Sequence, residues 1–138
     1  MSLLPFRDAL IAVYDADSAV QAVTGRTTLN LVARGAQVYE ENLPALTYFI
    51  ITSPQKRGIK GARRISVQFE AWARDDKPNV FSIMETLMDR AEALFVGTTL
   101  AGQGVDLYRT RIVSREDGGV EDNVRSLRAV FTFDVMTS

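Results

Sequence analysis

The feature that most constrains the fold is the segment RRISVQFEAWA, in which apolar and polar residues alternate one by one. A period of two places successive side chains on opposite faces of a β-strand. One face carries Ile65, Val67, Phe69 and Ala71, and the other carries Ser66, Gln68, Glu70 and Trp72. The segment therefore predicts a strand that covers a hydrophobic core on one side.

Three further strands are predicted around it. The preceding run LPALTYFIITS is rich in aromatic and β-branched residues, and a polar segment with glycines joins it to the alternating strand as a β-hairpin. The runs VDLYRTRIVS and VRSLRAVFTFDV form a second hairpin near the end of the chain. In the last strand, Leu127, Ala129, Phe131, Phe133 and Val135 share one face, and Ser126, Arg128, Thr132 and Asp134 share the other.

Two segments have the three-to-four-residue apolar spacing of an amphipathic helix. The first follows Pro5 and presents Phe6, Leu10, Val13 and Tyr14. The second is expected to end at Gly97 and presents Val80, Met84, Leu87, Ala91, Leu94 and Phe95. Between them, Asp15 or Asp17 is expected to cap a short helical turn that stops at Gly25.

These elements predict an α+β fold in one domain, residues 1–138, with a mainly antiparallel sheet of about four strands and two main helices on one face. A chain of 138 residues, 46% hydrophobic and 24% charged, can bury one core of this kind. No apolar run approaches the roughly 20 residues of a membrane helix, and the N-terminus lacks a signal-peptide pattern. We therefore expect a protein made in the cytosol, without a membrane partner.

Cysteine and histidine are both absent. Their absence excludes disulfides, thiolate nucleophiles, Cys/His zinc sites and histidine-based catalysis. We expect no enzyme, no metal and no cofactor. A hydrolase that works through Glu70, Asp75 and Asp76 is the enzymatic alternative, but adjacent aspartates before a helix are typical caps. The Asp15-Ala-Asp17 pair is interpreted in the same way and not as a metal motif.

Charge is unevenly distributed in a chain whose net charge is −1. The tip of the first hairpin, within SPQKRGIKGARR, contains five cations and no acid: Lys56, Arg57, Lys60, Arg63 and Arg64. The segment REDGGVEDN contains four acids, Glu116, Asp117, Glu121 and Asp122, around a Gly-Gly turn signal. The sequence thus predicts one basic and one acidic hairpin tip.

The order of elements resembles the tail-completion or tail-terminator proteins of long-tailed bacteriophages, which join tail to head. The resemblance is carried by LPALTYFII, ISVQFEAWARD, NVFSIMETLMDRAEALF and LRAVFTFDV, and it spans most of the chain. It implies a structural virion subunit, assembled in the host cytoplasm, that forms a homo-oligomeric ring, commonly a hexamer. Such a ring ends tube growth at the head-proximal end of the tail, contacts the tail tube protein and the head connector, and lets DNA pass through its lumen.

The residues of the basic tip do not by themselves identify what the tip contacts. Solvent alone is one interpretation, although five neighbouring like charges repel one another. Contact with DNA phosphates is a second, and it underlies an alternative function, a non-specific nucleic-acid-binding module that uses residues 54–64. The third is contact with the acidic tip of a neighbouring copy, or with an adjacent ring of the tail or neck, because the interfaces of a ring join two different surfaces.

Apolar area for assembly is predicted at Tyr48 and Trp72. The strand LPALTYFIITS is apolar on both faces, and Trp72 points away from Phe69 if its strand is regular. Two hypotheses for Trp72 stay open: contact with another copy, or packing in its own subunit, in the core or under VARGAQVYEEN. Loss of the ring with an intact fold in Trp72→Ala would support the first.

Overall fold

The computed structural model describes residues 4–34, 43–52, 62–96 and 106–136. Within these residues the chain forms three helices and five strands. Their order is α1 (Leu4–Asp15), α2 (Ser18–Thr24), β1 (Leu31–Ala33), β2 (Ala45–Thr52), β3 (Ala62–Arg74), α3 (Val80–Phe95), β4 (Asp106–Glu121) and β5 (Val124–Met136). No helix in these ranges is long and apolar enough to cross a membrane.

The strands form a mixed sheet in the order β1-β2-β3-β5-β4. The three neighbouring pairs from β2 to β4 are antiparallel, as predicted, and β3 pairs with β5 along its whole length. The expected count of about four strands was too low, because β1 adds a parallel fifth strand beside β2. Strand β1 has only three residues, so its sequence is too short to show the alternation of apolar and polar residues that predicts a strand.

One face of the sheet, the core face, is buried along β3 and most of β5 and is rich in phenylalanine. Ile65, Val67, Phe69 and Ala71 are each 0% exposed, which confirms the predicted alternation. The Phe69 ring packs edge-on against Phe131 at a centroid distance of 5.0 Å and stacks with Phe95 at 5.7 Å. Such ring pairs add to the stability that burial itself provides.

Helices α1 and α3 cover this core face, as the apolar spacing predicts. Phe6 of α1 packs edge-on against Phe133 at 5.1 Å, and the hydroxyl of Tyr14 donates a hydrogen bond of 2.7 Å to the Leu87 carbonyl. The buried residues of α3 are Val80, Met84, Leu87, Met88, Ala91 and Phe95. Helix α3 ends at Phe95; Gly97, its predicted stop, lies outside the described residues.

Helix α2 has the caps that the sequence predicts. Asp17 accepts a hydrogen bond from the Val20 amide, and Gly25 at the other end adopts the left-handed conformation, with φ of 74°. Glycine adopts this conformation without the steric penalty that a Cβ brings.

The β4–β5 turn differs from the prediction. The chain reverses at Asp122 and Asn123, whose φ values of 52° and 64° suit a two-residue hairpin turn. Gly118 and Gly119 instead lie inside β4, where the register shifts between Asp117 and Gly119. A Cβ at Gly118 would collide with the Ser126 side chain, so Gly118 permits close strand contact. Gly119 has a φ of 83°, which favours glycine inside the strand.

The buried aromatic cluster predicts a large difference between two phenylalanines of the sheet. Phe69→Ala should lower the free energy of unfolding by about 3–5 kcal/mol, because it leaves a cavity among three rings. Phe49→Ala, at a side chain that is 47% exposed, should cost about 1 kcal/mol or less. Urea unfolding followed by circular dichroism measures both, and equal losses would contradict the assignment of the core.

Candidate assembly surfaces

The second face of the sheet, opposite α1 and α3, carries exposed apolar side chains at one edge. Phe49 of β2 is 47% exposed, and Ile51, beside a register shift in β2, is 49% exposed. Tyr48 lies on the core face instead and is only 6% exposed. The exposed apolar area of β2 therefore belongs to Phe49 and Ile51 rather than to Tyr48.

Trp72 lies on the second face, as the alternation of β3 requires, and is half-buried. Its indole N–H donates a 2.9 Å hydrogen bond to the Thr47 hydroxyl on β2. Because this bond satisfies the only polar atom of the indole, the ring surface that stays in contact with solvent is apolar. The segment VARGAQVYEEN, under which Trp72 could alternatively pack, extends outside the described residues after Arg34.

A polar row separates Trp72 from Phe49 on the second face. Glu70 is 5% exposed, and its carboxylate accepts a 2.8 Å hydrogen bond from the Gln68 amide. The Arg34 guanidinium lies 3.8 Å from the same carboxylate and 5.5 Å from the centre of the Phe49 ring. The second face thus combines apolar side chains with paired charges, the composition of a protein–protein interface more than of a core.

The predicted basic tip is only partly described. Arg63 and Arg64 belong to β3, and the Arg64 guanidinium pairs with Asp134 of β5 at 2.9 Å. Asp134 is 3% exposed, so this pair is part of the sheet. Lys56, Arg57 and Lys60 lie outside the described residues, between Thr52 and Ala62.

The four acids are exposed, but most of them lie along a strand rather than at a tip. Glu116, Asp117 and Glu121 belong to β4, and only Asp122 lies in the turn. The Glu116 carboxylate is 4.0 Å from the Arg128 guanidinium, and Asp117 is 3.7 Å from that of Arg125. Asp117 also accepts a 2.8 Å hydrogen bond from the Gly119 amide.

The register places Arg63 and Arg64 near one end of the sheet and Glu121 and Asp122 at the other. At one end, Ala62 pairs with Met136, and segment 53–61 connects there. At the other end, Arg74 pairs with Val124, next to the β4–β5 turn. With about 3.3 Å per residue, the two ends of β3 are about 40 Å apart.

The three carboxylates of the hydrolase alternative are engaged by three different arginines. Glu70 lies beside Arg34, Asp75 pairs with Arg125 at 2.8 Å, and Asp76 pairs with Arg74 at 3.0 Å. No group of three or more acidic side chains suited to a metal ion occurs among the described residues.

A two-bond ion pair joins Asp17 to Arg90, which the sequence did not indicate. Two hydrogen bonds of 2.8 and 3.0 Å connect the Asp17 carboxylate to the Arg90 guanidinium. This partner lowers the pKa of Asp17. Asp15 is different: burial raises its pKa, although it accepts hydrogen bonds from the Asn30 and Leu31 amides. Both aspartates therefore hold the helices and β1 together, as caps and anchors.

Comparison with known proteins adds a fold neighbour. No family model and no curated protein matches the sequence. Among solved structures, a chain from the virion of a native gene transfer agent (GTA) particle matches with a TM-score of 0.63 and 15% sequence identity. The match covers 92% of this chain and 93% of that chain. At this identity the likeness is one of fold, and it extends over nearly all of both chains.

The Asp17–Arg90 pair predicts a pH-dependent contribution to stability. Because the folded pKa of Asp17 is lowered, its carboxylate stabilises the fold above the unfolded pKa of about 4, and this contribution is lost as pH falls through the folded pKa. Asp17→Asn keeps a capping oxygen but loses the charge, and should cost about 1–2 kcal/mol at pH 7. Asp17→Ala should cost roughly 1 kcal/mol more.

Urea unfolding of the wild type and Asp17→Asn between pH 2 and pH 7 measures this contribution. The difference between the two proteins should shrink below about pH 4. Asp15 has the opposite shift but is present in both proteins, so it cancels in the comparison. A difference that is independent of pH would contradict the role of the Asp17 charge.

Proposed function

We propose that the chain is a structural subunit of a phage-like virion and forms a ring at the head-proximal end of the tail tube. The ring ends tube growth and joins the tail to the head connector. The observation that carries the proposal is the likeness of fold, along almost the whole chain, to a chain of a gene transfer agent virion. The order of elements that resembles tail-terminator proteins supports the more specific position in the tail.

The proposed subunit makes contacts and catalyses no reaction. Its carboxylates at Glu70, Asp75 and Asp76 are each engaged by an arginine of the same chain. Engaged in this way, they serve to hold the sheet and the connection to α3 in place. The proposal therefore assigns function to surfaces and includes no cofactor.

The second face supplies the apolar contact in this proposal. Phe49, Ile51 and Trp72 offer aromatic and aliphatic area, and burial of such area provides most of the affinity between subunits. Exposed ion pairs contribute only about 0–1 kcal/mol each, so the surrounding charges orient the neighbouring copy. The partners are other copies, in a ring of six, together with the tail tube protein and the connector.

The genome passes through the lumen of the proposed ring, where contact with DNA is transient. A channel through which DNA slides is served by weak phosphate contacts without base recognition. Arg34, which is half-exposed on the second face, can make such a contact only if this face lines the lumen.

The proposal predicts that apolar area on β2 is needed for assembly but not for folding. Phe49→Glu together with Ile51→Glu should abolish ring formation and tube capping, because each places a charge where a neighbour must pack. Val113→Glu, at a 61% exposed valine of β4, is the matched control. Native mass and electron microscopy, with and without tail tubes, measure assembly, and thermal unfolding verifies the fold.

Three outcomes would contradict the proposal. The wild type could fail to form rings with or without tubes, or the Phe49/Ile51 variant could assemble normally. Thirdly, the chain could bind duplex DNA tightly, with affinity that falls steeply with salt, while ignoring tubes; that result would favour the nucleic-acid-binding alternative.

A further inference from the structure

A pocket of about 230 Å³ lies between the start of α3 and the β4–β5 hairpin. Phe81, Met84 and Leu127 provide its apolar lining, and Glu85 and Asp117 provide carboxylates. Ser126 completes the lining. The pocket therefore combines an apolar wall with negative charge.

The guanidinium group of Arg125 already lies beside Phe81 and near the carboxylates of Asp75 and Asp117. Its guanidinium carbon lies 4.7 Å from the centre of the Phe81 ring. The same group pairs with Asp75 at 2.8 Å and approaches Asp117 at 3.7 Å. An aromatic face with adjacent carboxylates is a favourable site for a guanidinium or ammonium group.

The pocket retains capacity for a second cation. Glu85 is exposed, and no cation of the described residues pairs with it. Phe81 is 53% exposed despite the contact with Arg125. A lysine or arginine side chain has both an apolar stem and a cationic end. The stem can lie on Met84 and Leu127 while the charged end meets Glu85.

We propose that this pocket receives a lysine or arginine side chain from segment 53–61 of a second copy of the chain. The segment contains Lys56, Arg57 and Lys60 and no acid. Its charge is thus complementary to the pocket. The inference deepens the proposed function and rests on it, because it names the contact that joins neighbouring subunits of the ring.

Chain length argues against the same contact within one subunit. Segment 53–61 joins Thr52, which is level with Ser66 in the register, to Ala62. Lys56 can therefore lie at most about 22 Å from Ala62, and its extended side chain adds about 6 Å. The pocket residue Leu127 is opposite Ala71 in the register, nine residues along β3 from Ala62. At 3.3 Å per residue this is about 30 Å. Only a fully extended segment could approach the pocket of its own subunit, whereas a second copy can present the side chain without the entropic cost of that extension.

The contact joins two different surfaces, the basic end of one copy and the acidic end of the next. An interface of this kind propagates from copy to copy and closes into a ring when the rotation between copies permits. A single type of pocket, used once per copy, is sufficient to link every subunit of such a ring.

A charge-exchange experiment tests the inference on the full-length chain. One variant reverses the segment, with Lys56→Glu, Arg57→Glu and Lys60→Glu, and another reverses the pocket, with Glu85→Lys and Asp117→Lys. Each variant alone should associate at least about tenfold more weakly than the wild type, because like charges then face each other. An equimolar mixture should associate within about threefold of the wild type, since each variant supplies what the other lacks.

Sedimentation velocity over a concentration series measures association, and thermal unfolding verifies that each variant folds. Glu85→Lys alone is the second pocket variant, because Asp117 also bonds the Gly119 amide. Asp8→Lys is the matched control: Asp8 is similarly exposed to Asp117, but it lies beside Arg7 on α1, away from the pocket and from the second face. It should leave association within about threefold of the wild type.

Each possible result of this experiment either supports or overturns the contact. Weakening by each reversal and recovery in the mixture would support the contact. Association that is unchanged by the reversals, a mixture that does not recover, or a wild type that stays monomeric at every accessible concentration would overturn it. If both reversed variants still cap tubes, the contact is wrong but the proposed function stands. If the mixture recovers association in solution but the wild type does not cap tubes, the contact stands and the proposed function is wrong.

Discussion

The structure depends on the burial of one aromatic sheet face under two helices. Phe69, Phe131 and Phe133 on the sheet meet Phe95 of α3 and Phe6 of α1, with ring centres 5.0–6.4 Å apart in the contacting pairs. Burial of this surface provides the main driving force for folding. Helices α1 and α3 both pack on that face. The remaining helix of the described residues, α2, has only seven residues and is too short to cover the opposite face.

That asymmetry connects the fold to the proposed assembly. The second face holds its polar groups in pairs, such as Glu70 with Gln68 and Trp72 with Thr47, and exposes Phe49 and Ile51. Arg63 and Arg64 lie near one end of the sheet, and Glu121 and Asp122 lie at the other. In the proposed ring, the core of each subunit is self-sufficient and other copies cover Phe49 and Ile51.

The core could be predicted from the sequence because it depends on local periodicity. The alternation in β3 and β5 and the spacing in α3 identified most of the buried residues, although Leu94 and Leu127 are only half-buried and Met88 was missed. The β4–β5 turn was misplaced because Gly-Gly is a strong turn signal, whereas the structure uses positive φ at Asp122 and Asn123 and requires Gly118 to sit close to Ser126. Contacts between distant residues, such as Asp17 with Arg90 and Phe81 with Arg125, leave no local pattern. The pocket beside Phe81 was missed for the same reason.

The central claim is that the second face is completed by contact with other copies. Trp72 is the only tryptophan of the chain and lies half-buried on that face, so its fluorescence reports directly on the surface in question. Emission should be recorded across a concentration series in parallel with native mass. The account predicts a shift to shorter wavelength and protection from acrylamide quenching that coincide with the rise in mass. A rise in mass with unchanged emission and quenching would contradict it.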